Sequence, residues 1–242
     1  MGKYNTTQLD PMAAAQRGIM HRDFLAHSLR WTHVLYKARI GMKILDVGCG
    51  SGNLYEVFYR NRFKPLRFVG VDIRKTAIDK LRGEFKQLGV TWEAMDIVED
   101  ALPKDDWDII TSFEVIEHIG KQNGDKFLRN IKNVMTKNTE FMLSTPCFDE
   151  KVGAANNHII NGVVGEYTFQ ELKELLERYF VIKEVFGTFA SQKDYKSLMN
   201  EWQKNMFNGL NRYYDNNLVS NLIAPFFPEH SRNCLWTLIL KP

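Results

Sequence analysis

The stretch ILDVGCGSGN, residues 44 to 53, decides the fold that the sequence predicts. A short apolar run is followed there by three closely spaced glycines: Gly48, Gly50 and Gly52. Glycine lets the backbone turn tightly and lets a ligand approach it closely, so the stretch is typical of a strand, a binding loop and a helix. Asn53 stands where the dinucleotide fingerprint has its last glycine, and the carboxylate of Asp46 would repel a pyrophosphate. The loop therefore favours a nucleoside that carries positive charge over a dinucleotide.

Apolar runs and amphipathic segments alternate along the rest of the chain. Buried strands are predicted for MKILDVG, RFVGVDI, VTWEAMD, DWDIITSF, TEFMLSTP, YFVIKEVFGTF and CLWTLIL. Helices are predicted for residues 17–38, 54–60, 75–88 and 124–135, and after Thr168, where Glu171 completes a capping-box pattern. This alternation predicts an α/β fold with a parallel sheet that is covered on both faces.

The chain is expected to form one domain over residues 1–242. Within it, we expect an N-terminal helical arm over residues 1–40 and a helical insertion over residues 191–231, before the last strand. The insertion is rich in aromatic residues and asparagine. It either packs against the sheet or covers the substrate as a lid, and the sequence leaves both possibilities open.

The composition is that of an ordinary globular protein, with 44% hydrophobic and 25% charged residues. The three cysteines are too far apart for a zinc ribbon or a disulfide framework, which favours a reducing compartment. No apolar run approaches the roughly 20 residues that span a bilayer, and the N-terminus has no apolar signal core. We therefore expect a soluble, cytoplasmic protein without a membrane span, whose oligomeric state the sequence does not predict.

Positive charge is concentrated near the N-terminus. The chain up to Lys43 contains seven basic and two acidic residues, a net charge of +5, whereas the whole chain carries +3. A basic arm of this kind would attract an anionic substrate such as RNA. A solvated helix face would have the same composition, so both interpretations stay open.

Four acidic residues lie at the carboxyl ends of four successive predicted strands: Asp46, Asp72, Asp96 and Glu114. The carboxyl ends of the strands in an open α/β sheet form the edge where ligands bind. Asp72, 22 residues after Gly50, is placed to accept hydrogen bonds from both hydroxyls of a ribose. Asp96, or the neighbouring backbone amide of Ile97, is placed to contact an adenine edge.

LDVGCGSG, followed in order by VGVDI, MDI and DIITSFEVIEH, resembles the class I S-adenosylmethionine (SAM) dependent methyltransferases. The resemblance covers about residues 20 to 190. It implies a Rossmann-like, seven-stranded, mostly parallel sheet with an antiparallel last strand, and SAM as the cofactor with S-adenosylhomocysteine as its product. It also implies that Asp46 and the glycine loop hold the methionine end, Asp72 the ribose and Asp96 the adenine. The remaining cofactor contacts that we predict are Cys49, Ile73, Ile97, Phe113 and Glu114.

EVIEH, after the fourth predicted strand, is similar to the EVxEH of the ubiquinone-biosynthesis O-methyltransferases. In those enzymes an arginine from the helix before the first strand binds the methionine carboxylate. Arg30, in SLRWTHVL, lies at a comparable distance from the first strand, so the resemblance implies the same role for it. The other interpretation of Arg30 is a surface residue of the basic arm.

The segment FEVIEHI, residues 113–119, supplies the candidate catalytic residues, His118 and Glu117. If the segment becomes helical at Glu114, then Glu114, Glu117 and His118 share one helix face and suit a divalent cation such as Mg, Mn or Zn. The small-RNA 3′-terminal 2′-O-methyltransferases are similar in ExxEH, and that resemblance implies His158 as a fourth ligand; the alternative is an ordinary loop histidine. Without a metal, His118 is expected to act as a general base.

Three functions remain open on the sequence. The first is methyl transfer to an oxygen of a small molecule, and the second is 2′-O-methylation of RNA or a nucleotide with a divalent metal. The third is a SAM-binding module without catalytic activity. Enzymes that methylate DNA bases are disfavoured, because SFEV replaces their [DNS]PP[YF] motif and Pro146-Cys147 follows the fifth strand rather than the fourth.

Overall fold

The computed structural model describes residues 22–148, 159–160, 163–190 and 195–242. A seven-stranded sheet organises these residues, and a separate two-stranded ribbon lies outside it. The strands in chain order are β1 (Lys43–Val47), β2 (Arg67–Asp72), β3 (Val90–Ala94), β4 (Ile109–Phe113), β5 (Glu140–Pro146), β6 (Ile159–Ile160), β7 (Val163–Val164), β8 (Phe180–Ala190) and β9 (Ser231–Leu240).

The sheet has the strand order β3-β2-β1-β4-β5-β9-β8. Strands β1 to β5 pair in parallel, whereas β9 is antiparallel to both of its neighbours, β5 and β8. The predicted fold class is therefore confirmed, including the single antiparallel strand at the end of the chain. The carboxyl ends of β1 to β5 meet at one edge, and the antiparallel course of β9 brings its amino-terminal end to that same edge.

Nine α-helices connect or flank the strands in the described part of the chain. They are α1 (Arg22–Lys37), α2 (Asn53–Arg60), α3 (Lys75–Glu84), α4 (Ile116–Ile119), α5 (Lys121–Lys132), α6 (Phe169–Glu177), α7 (Tyr195–Leu198), α8 (Glu201–Leu210) and α9 (Asn216–Ile223). Two short 3-10 helices, Ala224–Phe226 and Pro228–His230, precede β9. None of the described helices is long and apolar enough to cross a bilayer.

Both faces of the sheet are covered by apolar cores, which explains why its strands are continuous apolar runs. Along β1, Leu45 and Val47 belong to one core and Ile44 to the other. Successive side chains of a strand point to opposite faces, so one strand contributes to both cores. The strands that form the binding edge are therefore packed between apolar cores on both faces of the sheet.

Two predicted helices differ from the structure by three or four residues at their ends. The helix predicted over residues 75–88 ends at Glu84, because Phe85 leaves the helical conformation (φ −115°, ψ 95°). Its ring packs 5.1 Å from Tyr55 and 6.0 Å from Trp92, so burial of an aromatic ring ends the helix early. The helix predicted over residues 124–135 instead begins at Lys121 and ends at Lys132. The capping box at α6 is confirmed, since Thr168 and Glu171 exchange both hydrogen bonds.

The segment between β8 and β9 is helical in the part that the structure describes, and it is tied to β8. Ser220 donates a hydrogen bond to the carbonyl of Ala190, and Asn221 donates one of 2.6 Å to the carbonyl of Thr188. Its helices also form a small apolar core with Ala190. The segment thus packs on the sheet and still exposes aromatic side chains, among them Trp202, Tyr213 and Phe226.

Candidate cofactor and catalytic site

The glycine loop between β1 and α2 has the backbone that its sequence predicts. Gly48, Gly50 and Gly52 have φ angles of 80°, 59° and 76°, in the left-handed region that glycine adopts without strain. A Cβ atom on Gly48 would lie 2.3 Å from Val115, and one on Gly52 would lie 2.6 Å from Leu81. The loop therefore packs too closely against its neighbours to accept larger residues.

Asp72, at the end of β2, joins the glycine loop to the second strand. Its Oδ2 atom accepts a hydrogen bond of 2.9 Å from the amide of Gly50. Its Oδ1 atom accepts bonds from the amide and the Nε atom of Arg74, at 2.9 and 3.0 Å. A carboxylate oxygen has more than one acceptor position, so this side chain can still receive further hydroxyl donors. Ile73, the next residue, is 41% exposed at the same edge.

Asp46, at the end of β1, is a buried carboxyl group with an unusual pKa. Burial raises the pKa of Asp46 to about 7, the charge of Asp72 adds to the rise, and the hydrogen bond from Thr111 (2.8 Å) opposes it. Cys49 in the adjacent loop is buried, and burial together with both carboxylates raises the pKa of its thiol. The site therefore concentrates negative charge that a cationic ligand would stabilise.

Asp96, which follows β3, uses its carboxylate to hold its own turn. Its Oδ1 atom accepts hydrogen bonds from the amides of Val98 (3.0 Å) and Glu99 (3.3 Å). The side chain is partly exposed, whereas that of Ile97 is buried. The adenine contact of Asp96 and Ile97 stays a prediction.

Phe113 ends β4, partly buried against one of the two cores, and the chain then turns sharply at Glu114. Glu114 has a φ angle of 57°, and α4 begins two residues later at Ile116. The condition that the segment becomes helical at Glu114 is therefore not met. Glu114, Glu117 and His118 do not share one helix face, and the expectation that they do is wrong.

Hydrogen bonds to two strands, β5 and β9, hold Glu114 in this turn. Its amide donates to the carbonyl of Ser144 (2.9 Å), and its Oε1 atom accepts a bond of 2.9 Å from the hydroxyl of the same residue. The Nδ2 atom of Asn233 donates to both of its carboxylate oxygens, at 3.1 and 2.9 Å. Burial by itself raises the pKa of Glu114, but the charge of Arg30 leads the interactions that lower it overall.

Arg30, in α1, is a buried residue and not part of an exposed basic arm. Only 1% of it is exposed, and its Nη1 atom lies 3.6 Å from Glu114 Oε1. The same atom donates hydrogen bonds to Asn233 Oδ1 (2.8 Å) and Thr188 Oγ1 (3.4 Å). The surface interpretation of Arg30 is therefore wrong, whereas its contact with a methionine carboxylate stays a prediction.

Glu117 and His118 lie on α4 at the same edge of the sheet. Glu117 is fully buried, and its Oε2 atom accepts a hydrogen bond of 2.9 Å from Thr145. Its Oε1 atom has no hydrogen-bond donor among the described residues and lies 3.8 Å from His118 Nε2. Burial, and next the charge of Glu114, raise the pKa of Glu117 well above its usual value.

The predicted metal site is only partly within the described residues. His158 lies outside them, and the remaining three candidates are Glu114, Glu117 and His118. Among residues 22–148, 159–160, 163–190 and 195–242, no three His, Cys, Asp or Glu side chains are grouped closely enough to hold a metal ion. The physical reason is the turn at Glu114, whose carboxylate is bound to Ser144 and Asn233.

The part of the chain that carries this site matches a known protein family. Residues 39–205, which include the glycine loop, Asp72 and α4, match the family described as a methyltransferase domain. The chain belongs to this methyltransferase family. This membership confirms the resemblance of LDVGCGSG and EVIEH to the class I SAM-dependent methyltransferases. Of the three functions left open on the sequence, family membership supports the two catalytic ones.

The methyltransferase is also similar to curated O-methyltransferases over a short segment. It is 35% identical over 81 residues to the ubiquinone biosynthesis O-methyltransferase of Rhodopseudomonas palustris (strain TIE-1). It is 37% identical over 83 residues to the enzyme of that name from Coxiella burnetii (strain Dugway 5J108-111). The aligned segment covers 33% of this chain and 30% and 33% of the two relatives, so the chain matches about a third of their length.

Solved structures share the fold over almost the whole chain. A TehB-like SAM-dependent methyltransferase from Corynebacterium glutamicum superposes with a TM-score of 0.60 at 18% identity, covering 95% of this chain and 94% of its own.

The residues that support Glu114 and Glu117 did not emerge from the sequence. Thr145 lies at the carboxyl end of the predicted strand TEFMLSTP and could have been found by the rule that placed Asp46 and Asp72 at the ligand edge. Asn233 stands at the start of the antiparallel strand, so its position at this edge depends on the topology of the sheet. No local sequence pattern identifies it.

We predict that Asp46→Asn raises the free energy of unfolding at pH 8. Because the pKa of Asp46 rises from 3.8 to about 7 on folding, its ionised form costs the folded state up to about 4 kcal/mol above pH 7. As the pH decreases from 7 towards 4, the carboxyl becomes protonated first in the folded state and then also in the unfolded state. The cost to the folded state therefore falls. Urea unfolding at several pH values measures the effect.

The matched control is Asp105→Asn, because the carboxylate of Asp105 accepts a hydrogen bond from Lys43, at the start of β1. The hydrogen bond from Lys43 leads the interactions that lower the pKa of Asp105 below its usual value, so this substitution should reduce stability at pH 8. Equal effects of both substitutions, or a loss of stability in Asp46→Asn at pH 8, would contradict the assignment of Asp46.

Proposed function

We propose that this methyltransferase transfers the methyl group of SAM to an oxygen atom of a small-molecule acceptor. The observation that carries the proposal is the buried pair Glu117 and His118, whose facing atoms are 3.8 Å apart at the carboxyl edge of the sheet. An imidazole at this edge is suited to removing a proton from a hydroxyl group. The similarity to ubiquinone biosynthesis O-methyltransferases supports oxygen as the acceptor atom.

In this proposal SAM lies along the edge formed by β1 to β4. Asp72 accepts hydrogen bonds from the ribose, and the turn at Asp96 and Ile97 faces the adenine. The glycine loop and Asp46 contact the methionine end, where the sulfonium and ammonium groups carry positive charge. In the proposal Glu114 faces the same end. Its lowered pKa keeps its carboxylate ionised there. Two carboxylates there favour cationic SAM over its uncharged-sulfur product S-adenosylhomocysteine.

The chemical step is an in-line displacement at the methyl carbon. The acceptor oxygen forms a bond to that carbon while the carbon–sulfur bond breaks, and the sulfonium becomes a neutral thioether. His118 accepts the proton of the acceptor hydroxyl and later releases it to solvent. The protein mainly aligns the oxygen with the methyl group, which accounts for much of the rate in such reactions.

The insertion between β8 and β9 is the segment that we propose borders the acceptor. It joins two strands that reach the site through Thr188 and Asn233. Its exposed Trp202, Tyr213 and Phe226 suit planar rings. The free thiols of Cys49, Cys147 and Cys234 support the cytoplasmic location that the sequence predicts.

A second candidate is 2′-O-methylation of RNA or a nucleotide with Mg, Mn or Zn. The Oε1 atom of Glu117 favours it, because it is a buried carboxylate oxygen with no donor among the described residues. A metal would polarise the acceptor hydroxyl and replace His118 as the activating group. In that case His118 and His158 would be ligands. Glu114 would have to give up its bonds to Ser144 and Asn233.

Asp72→Ala should abolish SAM binding in titration calorimetry. The substitution removes the acceptor for the ribose and also the bond that holds Gly50 in the loop. Asp79→Ala, on the exposed face of α3, is the matched control and should bind SAM as the wild type does. An unchanged SAM affinity in Asp72→Ala would contradict the cofactor assignment.

His118→Asn should lower kcat about 100-fold or more while the Kd for SAM changes little, because a general base acts only in the chemical step. The assay is a product-detected screen of catechols, nucleotides and short RNAs, with and without Mg and Mn. Activity on catechols that persists after chelation supports the first candidate. Activity restricted to nucleotides or RNA and abolished by chelation would instead support the metal-dependent one.

A further inference from the structure

Asn233, the third residue of β9, lies between two charged groups at the cofactor edge. It is 7% exposed, with Arg30 on one side of its amide and Glu114 on the other. It is 203 residues from Arg30 and 119 from Glu114 in the chain, so the contact exists only in the folded sheet. No part of the catalytic scheme above uses this side chain.

The partners of Asn233 fix the orientation of its amide. Its Oδ1 atom accepts hydrogen bonds from Arg30 Nη1 (2.8 Å) and Thr188 Oγ1 (3.0 Å). A guanidinium group has donors and no acceptor, so the amide must present its oxygen to Arg30. The Nδ2 atom must therefore face Glu114, where it donates to both carboxylate oxygens.

Glu114 needs such support because its backbone conformation is unfavourable. A non-glycine residue with a φ angle of 57° is strained, and strain of this kind persists only where the surroundings hold it. Ser144 fixes the amide and one carboxylate oxygen of Glu114. Asn233 donates to both carboxylate oxygens and therefore constrains the direction in which the carboxylate faces.

We propose that Asn233 is a positioning residue for SAM binding, which fixes the carboxylate of Glu114 towards the methionine end of the cofactor. Arg30 and Thr188 orient Asn233, and Asn233 in turn orients Glu114. The inference rests on the proposed role of Glu114 in contacting SAM. By this inference β8 and β9 also influence the SAM affinity, although neither strand contributes a predicted cofactor contact.

Asn233→Ala should weaken SAM binding about 10- to 100-fold, the range expected for losing a hydrogen bond to a charged group. The kcat at saturating SAM should fall much less, because the substitution leaves His118 and Glu117 in place. If Asn233 acts through Glu114, then Glu114→Ala with Asn233→Ala should bind SAM no more weakly than Glu114→Ala alone. Titration calorimetry measures all three variants.

Asn233→Asp separates positioning from simple packing, because it keeps the shape of the side chain. An ionised Asp at this position only accepts hydrogen bonds, so it repels Glu114, whereas a protonated one again donates to it. Because Arg30 donates a hydrogen bond to this position, the Asp is expected to be ionised, so Asn233→Asp should bind SAM at least as weakly as Asn233→Ala. The charged or titratable groups facing Glu114 are Arg30 and His27 from α1, Glu117 from α4 and Arg232 from β9, and they are the same in both proteins.

Thr237→Val is the matched control on the same strand, since this buried hydroxyl has no partner among the described residues. It should leave the SAM affinity within about twofold of wild type. If Glu114→Ala leaves the affinity unchanged, the role of Glu114 fails and this inference fails with it. If Glu114→Ala weakens binding but Asn233→Ala does not, or if the two effects add, the role of Asn233 alone is overturned.

Discussion

The constraint on which the site depends is the left-handed turn at Glu114, between β4 and α4. Such a backbone costs a non-glycine residue about 1–2 kcal/mol. One hydrogen bond to a charged group contributes about 1.5–3 kcal/mol, and Glu114 accepts bonds from Ser144 and Asn233 and also pairs with Arg30. The turn is therefore maintained by its surroundings. It places Glu114 outside the helix that carries Glu117, and the pKa of Glu114 is lowered whereas that of Glu117 is raised.

The four carboxyl groups at this edge form two pairs, which differ in whether a cationic side chain lies beside them. Asp46 and Glu117 are buried without a cationic partner, so the pKa of each is raised. Asp72 is held by Arg74, and Glu114 by Arg30. The charge of Asp46 and of Glu117 therefore depends on what binds beside each group. In the proposed arrangement, the positive charge of the cofactor beside Asp46 would favour its ionised form, and Glu117 lies nearer the acceptor with His118.

The sheet and the glycine loop were predictable because their signals are local. Three spaced glycines, apolar runs of strand length and a carboxylate at each strand end are visible in the sequence, and the structure agrees with them. The turn at Glu114 was not predictable, since its causes are Arg30, Ser144 and Asn233, which lie far away in the chain. Arg30 illustrates the same limit, because a residue in a basic stretch is buried here against Thr188 of β8 and Asn233 of β9. The early end of α3 likewise depends on Phe85 packing against Tyr55 and Trp92.

The arrangement of the cofactor is the central claim, and a crystal structure of the protein with S-adenosylhomocysteine tests it most directly. The account predicts the ribose hydroxyls within hydrogen-bond distance of Asp72 and the methionine end over the glycine loop, beside Asp46. The carboxylate of Glu114 should remain bound to Asn233 and face the methionine ammonium group. A ligand bound elsewhere, or a Glu114 turned away from the cofactor, would contradict it.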